Sequence, residues 1–174
     1  MKWAIAQLIK RGTEVFEIDE LVDFNSVLKP SDEIRKLSKV KVTGSGQLQG
    51  KKVVFNLEIE GIMTLPCALT LDDVEYTYHV DTTEVFVLDS ESYQEGDDEH
   101  LVTGTTVELA PAIWQNIVLQ KPLRIVKDGA YEELKKQGFE FESEEDFQES
   151  ATDTQKVDPR LAVLSKLLND TQND

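Results

Sequence analysis

From Lys39 to Leu88 apolar and polar residues trade places along the chain. Val40 and Val42, then Val53, Phe55, Leu57 and Ile59, recur at every second position, with Glu58 and Glu60 in the gaps. Period two sends one set of side chains to a buried face and the other to water, which is the pattern of half-buried antiparallel strands. Gly50-Lys51-Lys52 separates the first two runs. A third run follows Gly61, and a fourth extends from Val74 to Leu88 through Tyr76, Tyr78, Val80, Val85 and Val87. Four strands joined by short turns predict a meander, open or barrel-like, whose apolar face needs a cover. At its middle stands Leu65-Pro66-Cys67-Ala68-Leu69-Thr70-Leu71, a local signature unlike its surroundings.

Elsewhere the pattern is patchier. In Lys2–Lys10 the spacing of Trp3 and Ile5 favours a strand, and that of Ile5, Leu8 and Ile9 a helix; periodicity leaves both open. Val15, Ile18 and Leu21-Val22 among acids predict a strand ending near Asn25. Pro30-Ser31-Asp32-Glu33 predicts a helix start, because Ser caps free N–H groups and acids suit the positive end. That helix would run about two turns and turn Ile34 and Leu37 inward. Ser90–His100 is rich in acids, with no apolar period, and reads as a loop. Leu101-Val102 and Val107–Leu109 suit short strand, broken at Gly104. Pro111 at a first-turn position, then Ile113, Trp114, Ile117 and Val118 at helical spacing, predict a core helix over Ala110–Leu119, stopped by Pro122. Lys127-Asp128-Gly129 reads as a turn, and Tyr131–Gln137 as one or two helical turns ended by Gly138.

Beyond residue 139 the character changes. Residues 140–156 are acidic and Ser/Thr-rich, which predicts a flexible linker. Over 157–170, Asp158 suits an N-cap, Pro159 a first helical position, and Leu161, Leu164, Leu167 and Leu168 an apolar stripe. A tethered amphipathic helix of this kind is either a lid on its own domain or a docking element for a partner. The expected organisation is therefore a single α+β domain over 1–139, mainly antiparallel sheet with one packed helix, followed by linker and C-terminal helix.

Charge sharpens the picture. The 174 residues carry a net charge of −16. Residues 1–70 hold 10 basic against 9 acidic side chains, and residues 71–174 hold 8 against 25. Nucleic-acid binding is driven largely by Lys and Arg neutralising phosphates, so a field of this sign opposes a bare polyphosphate and argues against DNA. It suits solubility, or attraction of a basic partner. Arg35, Lys36, Lys39 and Lys41, with Lys51 and Lys52 further on, are the candidate positive patch for RNA or partner contact. No apolar run approaches the ~20 residues that cross a membrane. A single cysteine permits no internal disulfide, which suits a reducing cytoplasm.

Catalytic motifs are sparse. One Cys and two separated His, His79 and His100, do not suggest zinc, and no metal or cofactor is expected. Cys67 has no CxxC partner and reads as a packed thiol. Gly44-Ser45-Gly46 lacks the Lys-Ser/Thr of a phosphate loop and precedes a strand pattern. No catalytic residue is assigned, and a non-enzyme is expected.

Three stretches taken together resemble a known family. They are Gly61–Leu71, then Val107–Pro122, and the terminal Asp158-Pro159-Arg160-Leu161. In order and spacing they are similar to the YceD family, the bacterial large ribosomal RNA accumulation proteins, over nearly the whole chain. The resemblance implies a role in accumulation of 23S rRNA and large-subunit assembly without a known catalytic activity. It implies a ribosomal protein or assembly factor as partner, with contact to rRNA direct or indirect. Many members carry C-x-R-C-L in the middle block. Here Cys67 and Leu71 match, while Leu69 and Thr70 stand at the arginine and second cysteine, which suits a packed turn better than a ligand site. The family positions singled out are Cys67, Leu71, Pro122, Asp158, Pro159, Arg160 and Leu161. The alternatives are an RNA-processing hydrolase acting on rRNA and a general protein-interaction module.

Overall fold

The computed structural model describes residues 1–29, 31, 33–93 and 99–139. The chain divides into two compact units, Met1–Ala130 and Tyr131–Asp174. The expected linker at 140–156 and helix at 157–170 lie outside the described residues, as do Asp158, Pro159, Arg160 and Leu161.

The sheet is organised on three long strands, β4 (Val40–Gln49), β5 (Lys52–Pro66) and β6 (Asp73–Val87). The second and third sequence runs are one strand rather than two. Gly61 does not break it, because Gly61 pairs with Tyr78 and the ladder continues to Pro66 opposite Asp73. The meander therefore has three long strands where four were expected. β2 (Phe16–Val22) adds antiparallel to β4, and β7 (Glu99–Leu101) adds parallel to β6. The path β2-β4-β5-β6-β7 has two separate ends, so among the described residues the sheet is open and no barrel closes.

Among the described residues the two-turn helix expected from Pro30 is not formed. Residues Lys36–Leu37 are instead a short strand, β3, paired with Thr64 and Met63 of β5. The physical reason lies in β5, whose pairing with β4 ends at Lys41 opposite Glu60. Past that point one edge of β5 would carry unpaired backbone groups. Arg35 N–H donates to Thr64 O and Ser38 N–H to Ile62 O, each at 2.9 Å, and satisfies them. The Asn25 side chain grips Leu37 at both backbone atoms, 2.9 Å each. Ile34 and Leu37 are buried as expected, though on a strand-like segment.

At the N-terminus both readings hold in turn: β1 (Lys2–Ala4) runs straight into α1 (Ile5–Arg11). β1 pairs antiparallel with β8 (Thr106–Glu108) in a separate two-stranded sheet. α2 occupies Ala110–Leu119 as expected and buries Ala112, Ile113 and Ile117 in the core. α3 (Ala130–Lys136) begins on the last residue of the first unit; over its remaining residues, in the second unit, it forms the helical turns expected from Tyr131 and ends before Gly138, at φ 90°.

One face of β4–β6 is the core. Val53, Phe55, Leu57, Ile59, Met63 and Leu65 alternate onto it, each burial contributing about 1.5–3 kcal/mol. Phe16 and Phe55 flank Gly46 in register, and their rings meet over it edge to face at 6.0 Å. A Cβ on Gly46 would lie 2.4 Å from the Phe16 ring. Trp3 packs on both rings, at 5.7 and 5.3 Å, which ties the β1–β8 ribbon to the sheet.

Candidate functional site

The opposite face of the sheet is polar, and register decides what stands beside what. Asp19, Thr43, Glu58 and Asp81 form one row across β2, β4, β5 and β6. Glu17, Ser45, Asn56 and Thr83 form the next, and Leu21, Lys41, Glu60 and His79 the one on the other side. Glu17, Asp19, Glu58, Asp81 and, further along β6, Glu75 are all exposed. His79 lies 3.5 Å from an Asp81 oxygen and 3.8 Å from a Glu58 oxygen. Spacing along the chain gives no hint of this triad, because Glu58 comes from the neighbouring strand.

The six basic candidates do not form one patch. Arg35, Lys36, Lys39 and Lys41 lie at one end of the β4–β5 hairpin, Lys51 and Lys52 at the other. At about 3.4 Å per residue the separation is roughly 25–30 Å. Four of the six are in ion pairs: Arg35 with Asp73, Lys41 with Glu60 at 3.0 Å, Lys51 with Asp89, and Lys52 with Glu99. The Glu60 hydrogen bond and charge hold Lys41 above its ordinary pKa. Lys36 and Lys39 are the members with less engaged ammonium groups; Lys36 is exposed on β3 and Lys39 stands near Asp23.

Cys67, Leu71 and Pro122 do come together. They line a cleft of about 200 Å³ with Glu33, Lys121 and the Leu123–Ile125 segment. The chain after α2 returns past the β5–β6 turn, where Ala68 N–H donates to Ile125 O at 2.8 Å. Cys67 is fully buried. Its sulfur accepts from the backbone N–H groups of Leu69, Thr70 and Lys127 at 3.4, 3.5 and 3.4 Å. Burial pushes the thiol up, but the Lys127 and Thr70 hydrogen bonds, with that of Leu69, outweigh it and bring the pKa down to about 7. Leu71 completes the turn in the left-handed region, at φ 61°, with its side chain in water. Lys121 to Glu33 at 2.6 Å and Lys127 to Asp72 at 3.0 Å close the rim.

A third feature escaped the sequence reading. Glu84 falls on the core face of β6, between Thr82 and Phe86, and is the buried charged residue among those described. It accepts from Asn116 of α2 at 2.7 Å and from Thr82 at 3.0 Å, and pairs with His100 of β7 at 2.6 Å. His100 is thus a strand residue, in register with Phe86 and packed on its ring at 4.8 Å, and not part of a loop. These side chains line a cleft of about 560 Å³ with Thr83, Glu99, Gln115 and Leu119. The signal was present: Val80, Thr82, Glu84 and Phe86 continue the inward alternation, with an acid in an apolar slot.

Among the described residues no helix is long and apolar enough to cross a membrane. No solved structure matches the chain. The chain is 36% identical over 170 residues, 97% of its length and 96% of the relative's, to a Bacillus subtilis (strain 168) protein whose name is "Uncharacterized protein YlbN". Residues 55–168, well over half of the chain, match the family described as "Large ribosomal RNA subunit accumulation protein YceD". That stretch holds the Cys67 turn, the Glu84 network and α2, and with it the chain belongs to the YceD family.

Proposed function

We propose that the protein supports accumulation of 23S rRNA as a non-catalytic factor that accompanies the assembling large ribosomal subunit. Its contact is with a basic ribosomal protein or assembly factor, and its effect on rRNA is indirect. The family description points to the rRNA of the large subunit. The observation that carries the mode of action is the outer sheet face, where exposed acids align in register across strands while four of six candidate basic residues are already neutralised by carboxylates. Such a face repels phosphate and attracts a cationic protein surface, raising its association rate and selecting its orientation. Turnover is no part of this reading, since the best-placed acid, Glu84, spends its acceptors on Thr82, Asn116 and His100 within the fold.

Gradient sedimentation of cell extract tests it. The protein should travel with large-subunit precursors. A Glu17→Lys/Asp19→Lys/Glu75→Lys variant, altered only at exposed positions, should remain near the top while the ratio of 23S to 16S rRNA falls. A wild-type protein that sediments alone, or a variant that still travels with precursors, overturns the reading. So does cleavage of rRNA by the purified protein with magnesium, abolished by Glu84→Gln.

A further inference from the structure

We propose that Glu58, His79 and Asp81 form a binding site for one divalent transition-metal ion of the zinc type. The imidazole Nε2 and one carboxylate oxygen from each acid lie within 4.8 Å of one another. On a tetrahedral zinc with ligand bonds of 2.0–2.1 Å, neighbouring ligand atoms are about 3.3–3.4 Å apart. The two edges at His79, 3.5 Å to Asp81 and 3.8 Å to Glu58, already approach that value. The third edge closes by rotation of exposed carboxylates, without backbone movement.

Four further features of the sheet favour a cation at this point. Glu58 and Asp81 stand directly opposite each other in the β5–β6 ladder, and like charges so placed repel. The lysine of the adjacent row, Lys41, makes its contact ion pair with Glu60 at 3.0 Å, and its charge acts on Glu58 only at longer range. Thr43 donates its hydroxyl to Glu58 Oε2 at 3.3 Å, which leaves Oε1 on the His79 side; a partner behind a ligand orients it in this way. All three ligands rise from paired strands, which hold a geometry better than loops.

The donor set selects the ion. One imidazole nitrogen with two carboxylate oxygens suits zinc and its neighbours, whereas calcium prefers six to eight oxygens and copper(I) soft sulfur. Beside the triad a depression of about 440 Å³, lined by Ser45, Asn56, Thr83 and the two acids, leaves room for water at the remaining coordination position. Glu58 and Asp81 belong to the acidic face proposed to meet the partner, but the acids altered in the sedimentation experiment are not among the ligands, so each experiment can fail without the other.

The two histidines of the chain make the test self-controlled. Chelator-treated full-length protein is titrated with Zn²⁺ and followed by proton–nitrogen spectra of the imidazoles and by calorimetry. The expected result is saturable binding of one equivalent that shifts the His79 ring signals and leaves those of His100 in place. Outer partners of metal ligands are worth 10–100-fold in affinity, so His79→Ala and Asp81→Asn should each weaken this binding by at least about tenfold. Both substitutions are at exposed strand positions and leave the core untouched. An unshifted His79, equal shifts of both rings, or affinity unchanged in His79→Ala overturns the site and leaves a histidine–carboxylate ion pair only.

Discussion

Replacing Glu84 by alanine removes the carboxylate on which β6, β7 and α2 converge. Three hydrogen bonds are lost, from His100 at 2.6 Å, Asn116 at 2.7 Å and Thr82 at 3.0 Å. They are not equivalent. Asn116 keeps its bond to Ala112 O at 2.9 Å, and the Thr82 hydroxyl is free to rotate to another acceptor or water. The loss falls mainly on His100, whose side chain is 36% exposed, so water compensates part of it. Breaking a wholly buried charged pair costs about 3–5 kcal/mol, and a hydrogen bond to a charged group about 1.5–3 kcal/mol. With the solvent discount, Glu84→Ala should destabilise the protein by about 2–4 kcal/mol. Glu84→Gln keeps the volume and an acceptor for Asn116, and should cost about half as much, on the order of 1–2 kcal/mol. Urea unfolding at neutral pH measures both, with an unchanged m-value confirming that only stability has moved. Combining Glu84→Ala with His100→Ala should recover at least about 1 kcal/mol of coupling. A cost below about 1 kcal/mol, or no coupling to His100, would refute the view that this network holds β7 and α2 to the sheet.

Cys67 gives a pH-dependent expectation. Its folded pKa, about 7, lies below that of an ordinary thiol, so its stabilisation is complete above the unfolded pKa and fades as pH falls through 7. Wild-type stability should therefore gain on the order of 1–2 kcal/mol between pH 7 and 9 relative to Cys67→Ala, and parallel urea-derived profiles for the two proteins would count against it. Gly44 tests backbone proximity. At φ 148° its added Cβ would sit 2.0 Å from Asn56 O, so Gly44→Ala should lower stability by roughly 2–3 kcal/mol in a thermal or urea melt. Gly12→Ala, at φ 67° with nothing within 4 Å, should cost only about 1 kcal/mol; equal losses at the two sites would contradict the close approach of β4 and β5.

Some of this architecture was legible from neighbours along the chain alone. The alternation over 53–59 and 74–87 identifies strands and their buried face, because period two depends only on where successive side chains point. The 110–119 helix follows from Pro111, the spacing of Ile113 and Ile117, and the stop at Pro122. The three family stretches were readable in the same way, as identities in order and spacing.

Pairing across distance was not legible. Residues 36–37 are a strand because β5 outruns β4 and needs a partner there, a demand set by residues some 27 positions away that overrides the local cap signal. Gly61 continues a strand because Tyr78 lies opposite, and His100 joins one because β6 offers an edge. The candidate sites show the same division. The six basic candidates are parted by the length of a hairpin, and four of them are bound to carboxylates brought from elsewhere. Glu58 meets His79 and Asp81, and Glu84 meets His100 and Asn116, only through register and helix packing. Local sequence sets the period and the face of each element. Which charges meet across those faces is decided by backbone hydrogen bonds between distant segments, whose energies no local window contains.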